Sequence, residues 1–291
     1  MELAAVPFFP QSTDQCGPSA LTTVLQASGV DAPFDQVAAA IYLPERRGSL
    51  QLELLSAARA YGRLPVQLDP DLPGLVAQLQ LGRPVLVMQN LGIRLLPLWH
   101  YAVVVGYLPD EDALVLRSGR RERLLVPRAR FDRAWARAER WALVLLAPDQ
   151  RPTGVDEQAY LAEAAALEAT GEIEIAGQAY REALTQWPDS PLAALGLAKV
   201  LYAEGQLQQA IGRYRALLAA DPNNLIARNN LADSLLNLGC PDAALAVIDA
   251  APPGTAQHPL YGALQATRAE VAAALGASDA SAAICPVPYA P

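Results

Sequence analysis

The chain has 291 residues, 52% hydrophobic and 18% charged, enough apolar material for one large or two ordinary packed domains, and a composition that excludes intrinsic disorder. Its net charge of −8 is unevenly placed: residues 1–147 carry 15 Arg against 14 Asp and Glu, residues 148–291 carry 7 Arg and Lys against 16. A second half this acidic argues against a nucleic-acid partner.

In chain order, residues 5–10 read as a short extended segment kept out of helix by Pro7 and Pro10. A helix follows to about Ala27 and closes at Ser28-Gly29, with two more expected at about 35–42 and 50–61, the second ended by Gly62. Val66–Leu68 is a brief strand and 72–81 another helix. After Gly82-Arg83-Pro84 the pattern turns to strands: 84–88, 100–107, 113–118 and 123–126, then a helix near 128–138 and a strand at 141–146. Helices first and an antiparallel-looking sheet afterwards is an α+β arrangement over residues 1–147.

Residues 148–156 read as a linker rich in Pro, Gly and charge. Beyond it the chain repeats with a period of 34: Gly171, Gly205 and Gly239; Ala176, Ala210 and Ala244; Tyr180 and Tyr214; Pro188 and Pro222. That period, with a turn Gly, a small Ala, an aromatic and a closing Pro, is the tetratricopeptide pattern. Repeats are expected at about 157–190, 191–224 and 225–258, with a capping helix bringing this all-α solenoid to 277 and a flexible tail over 278–291. Its first helices should line a concave groove for a protein partner, and the acidic balance favours a basic segment there.

The chemistry gathers at Gln11-Ser-Thr-Asp-Gln-Cys16-Gly-Pro-Ser-Ala-Leu21. Proline is favoured at a first helical position, so Pro18 puts Cys16 at or just before a helix N-terminus, where the dipole and free amides favour the nucleophilic thiolate. Gly17 removes a side chain beside the sulfur, leaving room for a substrate backbone. The competing reading of Cys16 is a small buried residue. A cysteine nucleophile needs a base. Of the two histidines, His258 lies among the repeats, which leaves His100, at the start of a strand and after a loop (91–99) that could line a cleft walled by Trp99. The competing reading of His100 is a surface residue at a strand edge.

Gln-x4-Cys-Gly-Pro-Ser-Ala-Leu, followed some eighty residues on by His-Tyr-Ala-Val-Val-Val-Gly-Tyr, resembles the papain-like cysteine peptidases of the bacteriocin-processing (double-glycine leader) family. It is similar in particular to their stand-alone bacterial relatives, some of which carry tetratricopeptide repeats. The resemblance covers roughly residues 6–147. It implies a papain-like domain: a helical lobe bearing Cys16 as nucleophile, a β-lobe bearing His100 as general base and then acid, and a cleft for a peptide or protein substrate. It also implies that Gln11 shares the oxyanion with the Cys16 backbone N–H, though Gln11 lies five rather than six residues before the cysteine and Gln15 competes for the role. The family places an Asp or Asn about sixteen residues after its histidine. Ser118 is the nearest equivalent here, because Asp110 and Asp112 fall in the preceding turn, so a weaker orienting group is expected.

No metal or organic cofactor is expected. The nine arginines from Arg117 to Arg140 read most simply as a solvated face, with docking of the acidic repeats or attraction of an acidic substrate as alternatives. Cys16, Cys240 and Cys285 have neither metal-ligand nor redox spacing; no disulfide framework is indicated, although a Cys240–Cys285 bridge is geometrically possible. No signal peptide or transmembrane segment is visible. The expected setting is bacterial: periplasmic if an export signal was removed from this chain, otherwise cytoplasmic. The leading reading is a cysteine peptidase whose repeats recruit substrate or partner. The alternative is a non-catalytic scaffold that keeps a vestigial papain-like cleft.

Overall fold

The computed structural model describes residues 1–10, 14–253, 255–277 and 285, and the chain falls into two compact units, Met1–Leu167 and Glu168–Pro291. The expected flexible tail, Cys285 apart, and Gln11 lie outside the described residues.

The first unit is α+β. Helices α1 (Cys16–Ala27), α2 (Phe34–Ile41) and α3 (Gln51–Ala60) come first, then strand β1 (Leu64–Gln67) and helix α4 (Leu72–Gln80). Strands β2 (Val85–Asn90), β3 (Trp99–Leu108), β4 (Ala113–Ser118) and β5 (Arg121–Pro127) follow, then α5 (Arg128–Ala136) and β6 (Ala142–Leu146). The six strands form one antiparallel sheet in the order β1-β6-β2-β3-β4-β5.

Strand alternation sends successive side chains to opposite faces. Tyr101, Val103 and Val105 of β3, with Leu143 and Leu145 of β6, pack against Leu21, Val24 and Leu25 of α1 in one buried cluster. The other face carries α4 and α5, whose Leu75, Leu79, Phe131 and Trp135 are fully buried. Gly17 to Leu25 of α1 are all buried, because α2 and α3 pack on this helix as well as the sheet. That packing carries its N-terminus to the end of β3 where His100 sits.

Two buried arginines hold chain segments in place. The Arg117 guanidinium donates to the backbone carbonyls of Ala4, Val6 and Glu122, fixing the segment that leads towards Cys16. Arg83 donates to the carbonyls of Arg151 and Thr153, and the Gln78 amide donates to Gly154. Residues 151–154, expected as a linker, are therefore pinned to the first unit.

Helix α6 (Glu157–Ala169) spans the boundary between the units, and α7 (Ile173–Gln186), α8 (Pro191–Ala203), α9 (Leu207–Ala220), α10 (Leu225–Asn237), α11 (Pro241–Asp249) and α12 (Tyr261–Ala277) follow. From α7 to α12 each helix packs on the next. Gly171, Gly205 and Gly239 have φ of +88°, +75° and +82°, the left-handed conformation that favours glycine between the helices of a pair. Ala176, Ala210 and Ala244 are fully buried. Cys240 and Cys285 form a disulfide, Cα–Cα 5.6 Å, the bridge that the sequence left possible without indicating it. Their separation of 45 residues says nothing by itself; the folded second unit is what brings Cys240 and the distant cysteine together. No helix among the described residues is long and apolar enough to cross a membrane.

Candidate active site

Cys16 is itself the first residue of α1, and Pro18 is the third, two positions further in than expected. The α1 N-cap, Gln15, makes no side-chain capping bond, and no acidic residue lies in the first turn, so the amide end of the helix is left to the sulfur. The backbone amides of Tyr101, Gly17 and Cys16 all favour the thiolate. Burial outweighs them, and the Cys16 thiol is pushed up from its ordinary value. The expectation of a thiolate stabilised at rest by the helix terminus is thus corrected: at this half-buried position desolvation wins.

Gly17 is explained differently from the sequence reading. A Cβ there would lie 2.7 Å from both Cβ and Oγ of Ser49, and 3.7 Å from the Tyr101 ring. The space is filled by Ser49 and is not open to a substrate backbone.

His100 lies near the start of β3, opposite Gln89 of β2. It is half-buried, and burial pushes its imidazole below the ordinary histidine value. Its Nε2 is hydrogen-bonded to Ser118 Oγ at 2.8 Å, and Ser118, at the end of β4, is buried. This bond leaves Nδ1 as the ring nitrogen open to exchange a proton with a thiol. Because Tyr101 follows His100 in the chain, its amide, which favours the Cys16 anion, is part of the peptide unit that joins the two residues. Cys16 and His100 are not hydrogen-bonded to each other; such contacts in free enzymes often tighten only with substrate. Asp112 is engaged elsewhere, accepting from Arg128 at 2.6 Å.

Two features go beyond the sequence reading, which took residues 91–99 as a loop that could line a cleft and the arginines as a solvated face. The β2–β3 connection is an apolar hairpin: Leu91, Ile93, Leu95, Leu96, Leu98 and Trp99 are 50–87% exposed. Asn90 closes its neck, its Oδ1 accepting from the backbone amides of Gly92 and Leu98, both at 3.0 Å. An Asn before Leu-Gly was the available signal. The arginine cluster is also not one solvated face. Arg117 is buried; Arg123 pairs with Glu2, Arg128 with Asp112 and Arg140 with Asp132; Arg137 donates to the Asn90 carbonyl.

No curated protein matches the chain. The tetratricopeptide repeat family matches residues 161–224 and 201–267, and the C-terminal region carries these repeats. Among solved structures, the chain is similar to one described as a C39-like peptidase from Bacillus anthracis, at 18% identity and a TM-score of 0.42, over 50% of this chain and 96% of that one. It is similar to the peptidase domain of Streptococcus ComA, a bifunctional ABC transporter involved in quorum sensing, at 22% identity and a TM-score of 0.40, over 49% and 98%. It is also similar to a thermophilic tetratricopeptide-repeat protein of Thermus thermophilus, at 26% identity and a TM-score of 0.38, over 42% and 66%.

Proposed function

We propose that the first unit is a cysteine peptidase that cleaves peptide bonds of a protein or peptide substrate, and that the repeats recruit the substrate or a protein partner. The observation that carries this reading is the bond from His100 Nε2 to Ser118 Oγ, because it turns Nδ1 free on the residue that shares a peptide unit with the Cys16-facing amide. In the mechanism, His100 Nδ1 takes the Cys16 proton and the sulfur attacks the scissile carbonyl. The imidazolium then protonates the leaving amine, giving an acyl-enzyme, and His100 next draws a proton from the water that releases it. The Cys16 backbone N–H stabilises the oxyanion, with Gln11 as its proposed side-chain partner. Ser118 fixes the imidazole tautomer without supplying charge.

The repeats support protein–protein interaction, and Leu192 and Ile226, one repeat apart near the starts of α8 and α10, are exposed apolar side chains suited to a partner segment. The Cys240–Cys285 disulfide favours an oxidising compartment such as the periplasm.

The test is peptide hydrolysis by wild type, Cys16→Ala and His100→Ala, with folding followed by circular dichroism. Each variant should stay folded and lose activity by several orders of magnitude. Wild-type turnover by Cys16→Ala would overturn the assignment. Folded wild type that cleaves nothing in a broad peptide mixture would favour the scaffold reading.

A further inference from the structure

Ser118 and His100 also stand in the wall of a second space. A pocket of about 480 Å³ lies on the sheet face that α5 covers, with Leu116, Leu124 and Val126 among its apolar lining and Arg120, Arg121 and Arg130 around it. These three are arginines of the cluster left without a carboxylate or carbonyl partner among the described residues. All three are exposed, and together they give the rim of the pocket a positive charge that favours an anion there. Guanidinium pairs with carboxylate in a bidentate geometry that an ammonium cannot match. The apolar lining suits the methylenes of an acidic side chain, and the volume is large enough for more than one residue.

We propose that this pocket is a substrate subsite that takes an acidic peptide segment beside the scissile bond, held by Arg120, Arg121 and Arg130. The assignment rests on the peptidase reading, because His100 and Ser118, the proposed base and its orienting hydroxyl, stand in the pocket wall. The apolar lining favours a peptide over the phosphate backbone of a nucleic acid, which has no apolar group to place there.

Two measurements separate this inference from the peptidase reading. In the first, wild type is given a proteome-derived peptide library and cleavage sites are read by mass spectrometry. A cleaved sequence is then resynthesised with Glu or Gln at the enriched position. Acidic residues should be enriched near the cut, and kcat/KM should favour the Glu peptide about tenfold or more. The ratio should fall to about one in Arg121→Ala/Arg130→Ala and invert towards a Lys peptide in Arg121→Glu/Arg130→Glu. In the second, fluorescence polarisation follows the binding of a labelled Glu-Leu peptide, its Gln-Leu counterpart and an oligonucleotide to Cys16→Ala. The Glu-Leu peptide should bind tightest, and less tightly as salt rises. Cleavage without acidic preference, or a preference that survives the arginine variants, would overturn the subsite and leave the peptidase standing. Tight, arginine-dependent binding of Glu-Leu with no cleavage by wild type would support the pocket and remove the peptidase. Tighter binding of the oligonucleotide than of Glu-Leu would overturn the subsite.

Discussion

At the scale of single residues, the site is governed by what burial does to two opposite acid–base partners. It raises the thiol of Cys16 and lowers the imidazole of His100, so both are uncharged at rest near neutral pH. The signs give two expectations. Labelling of Cys16 by iodoacetamide should climb only above the ordinary cysteine value of about 8.5, whereas hydrolysis, which needs unprotonated imidazole, should keep an acid limb below about 6.5. A labelling midpoint under about pH 7 would mean that a thiolate–imidazolium pair prevails over desolvation. Ser118 sets the second residue-scale expectation. A hydroxyl orients the ring but cannot neutralise an imidazolium, so Ser118→Ala should cost about tenfold or less, against roughly 10⁴ when the aspartate of a Ser-His-Asp triad is neutralised. Ser118→Asp should raise the rate and move the acid limb to higher pH, because an adjacent carboxylate raises the histidine pKa. Rate profiles against pH for the three proteins decide it, and a thousandfold loss in Ser118→Ala would refute this account of the third position.

At the scale of elements, the β2–β3 hairpin shows how much can be held by one side chain. Asn90 Oδ1 satisfies two hairpin amides while its backbone carbonyl accepts from Arg137, and a Cβ on Gly92 would collide with the Leu96 carbonyl. Asn90→Ala should leave those two amides without their acceptor, costing about 1–3 kcal/mol, while Asn90→Asp, which keeps the acceptor, should cost less. Thermal melts of both variants check this, and amide exchange at Gly92 and Leu98 should quicken in the alanine variant alone. The hairpin also marks the boundary of what local pattern can reveal. Strands, helix starts and the 34-residue register were legible because each is written within a few residues or repeated along the chain. The Cys16 and His100 positions were legible because both open periodic elements. Ser49 filling the space beside Gly17, Arg117 turning inwards and residues 151–154 being pinned by Arg83 were not, since each depends on residues brought together only by packing. The pKa directions were hidden for the same reason: helix-end position is local, burial is not.

At the scale of the whole molecule, the 34-residue register and the Cys240–Cys285 disulfide stabilise the second unit by different means, one through stacking of neighbours and one through the unfolded chain. Closing a loop of 45 residues should contribute up to about 4 kcal/mol by restricting the unfolded ensemble. Reduction, or the Cys240→Ala/Cys285→Ala pair, should therefore lower the melting temperature of the repeats while leaving hydrolysis at Cys16 unchanged, as differential scanning calorimetry beside an activity assay would show. A single melting temperature under both conditions would mean that the bridge adds nothing to the fold. The bridge has a further consequence for the one free cysteine. Surroundings oxidising enough to join Cys240 to Cys285 are hazardous to any thiolate, since the anion is the form that peroxide and disulfides attack. Burial holds Cys16 protonated and no second cysteine lies beside it, so it should be slow to oxidise in such surroundings.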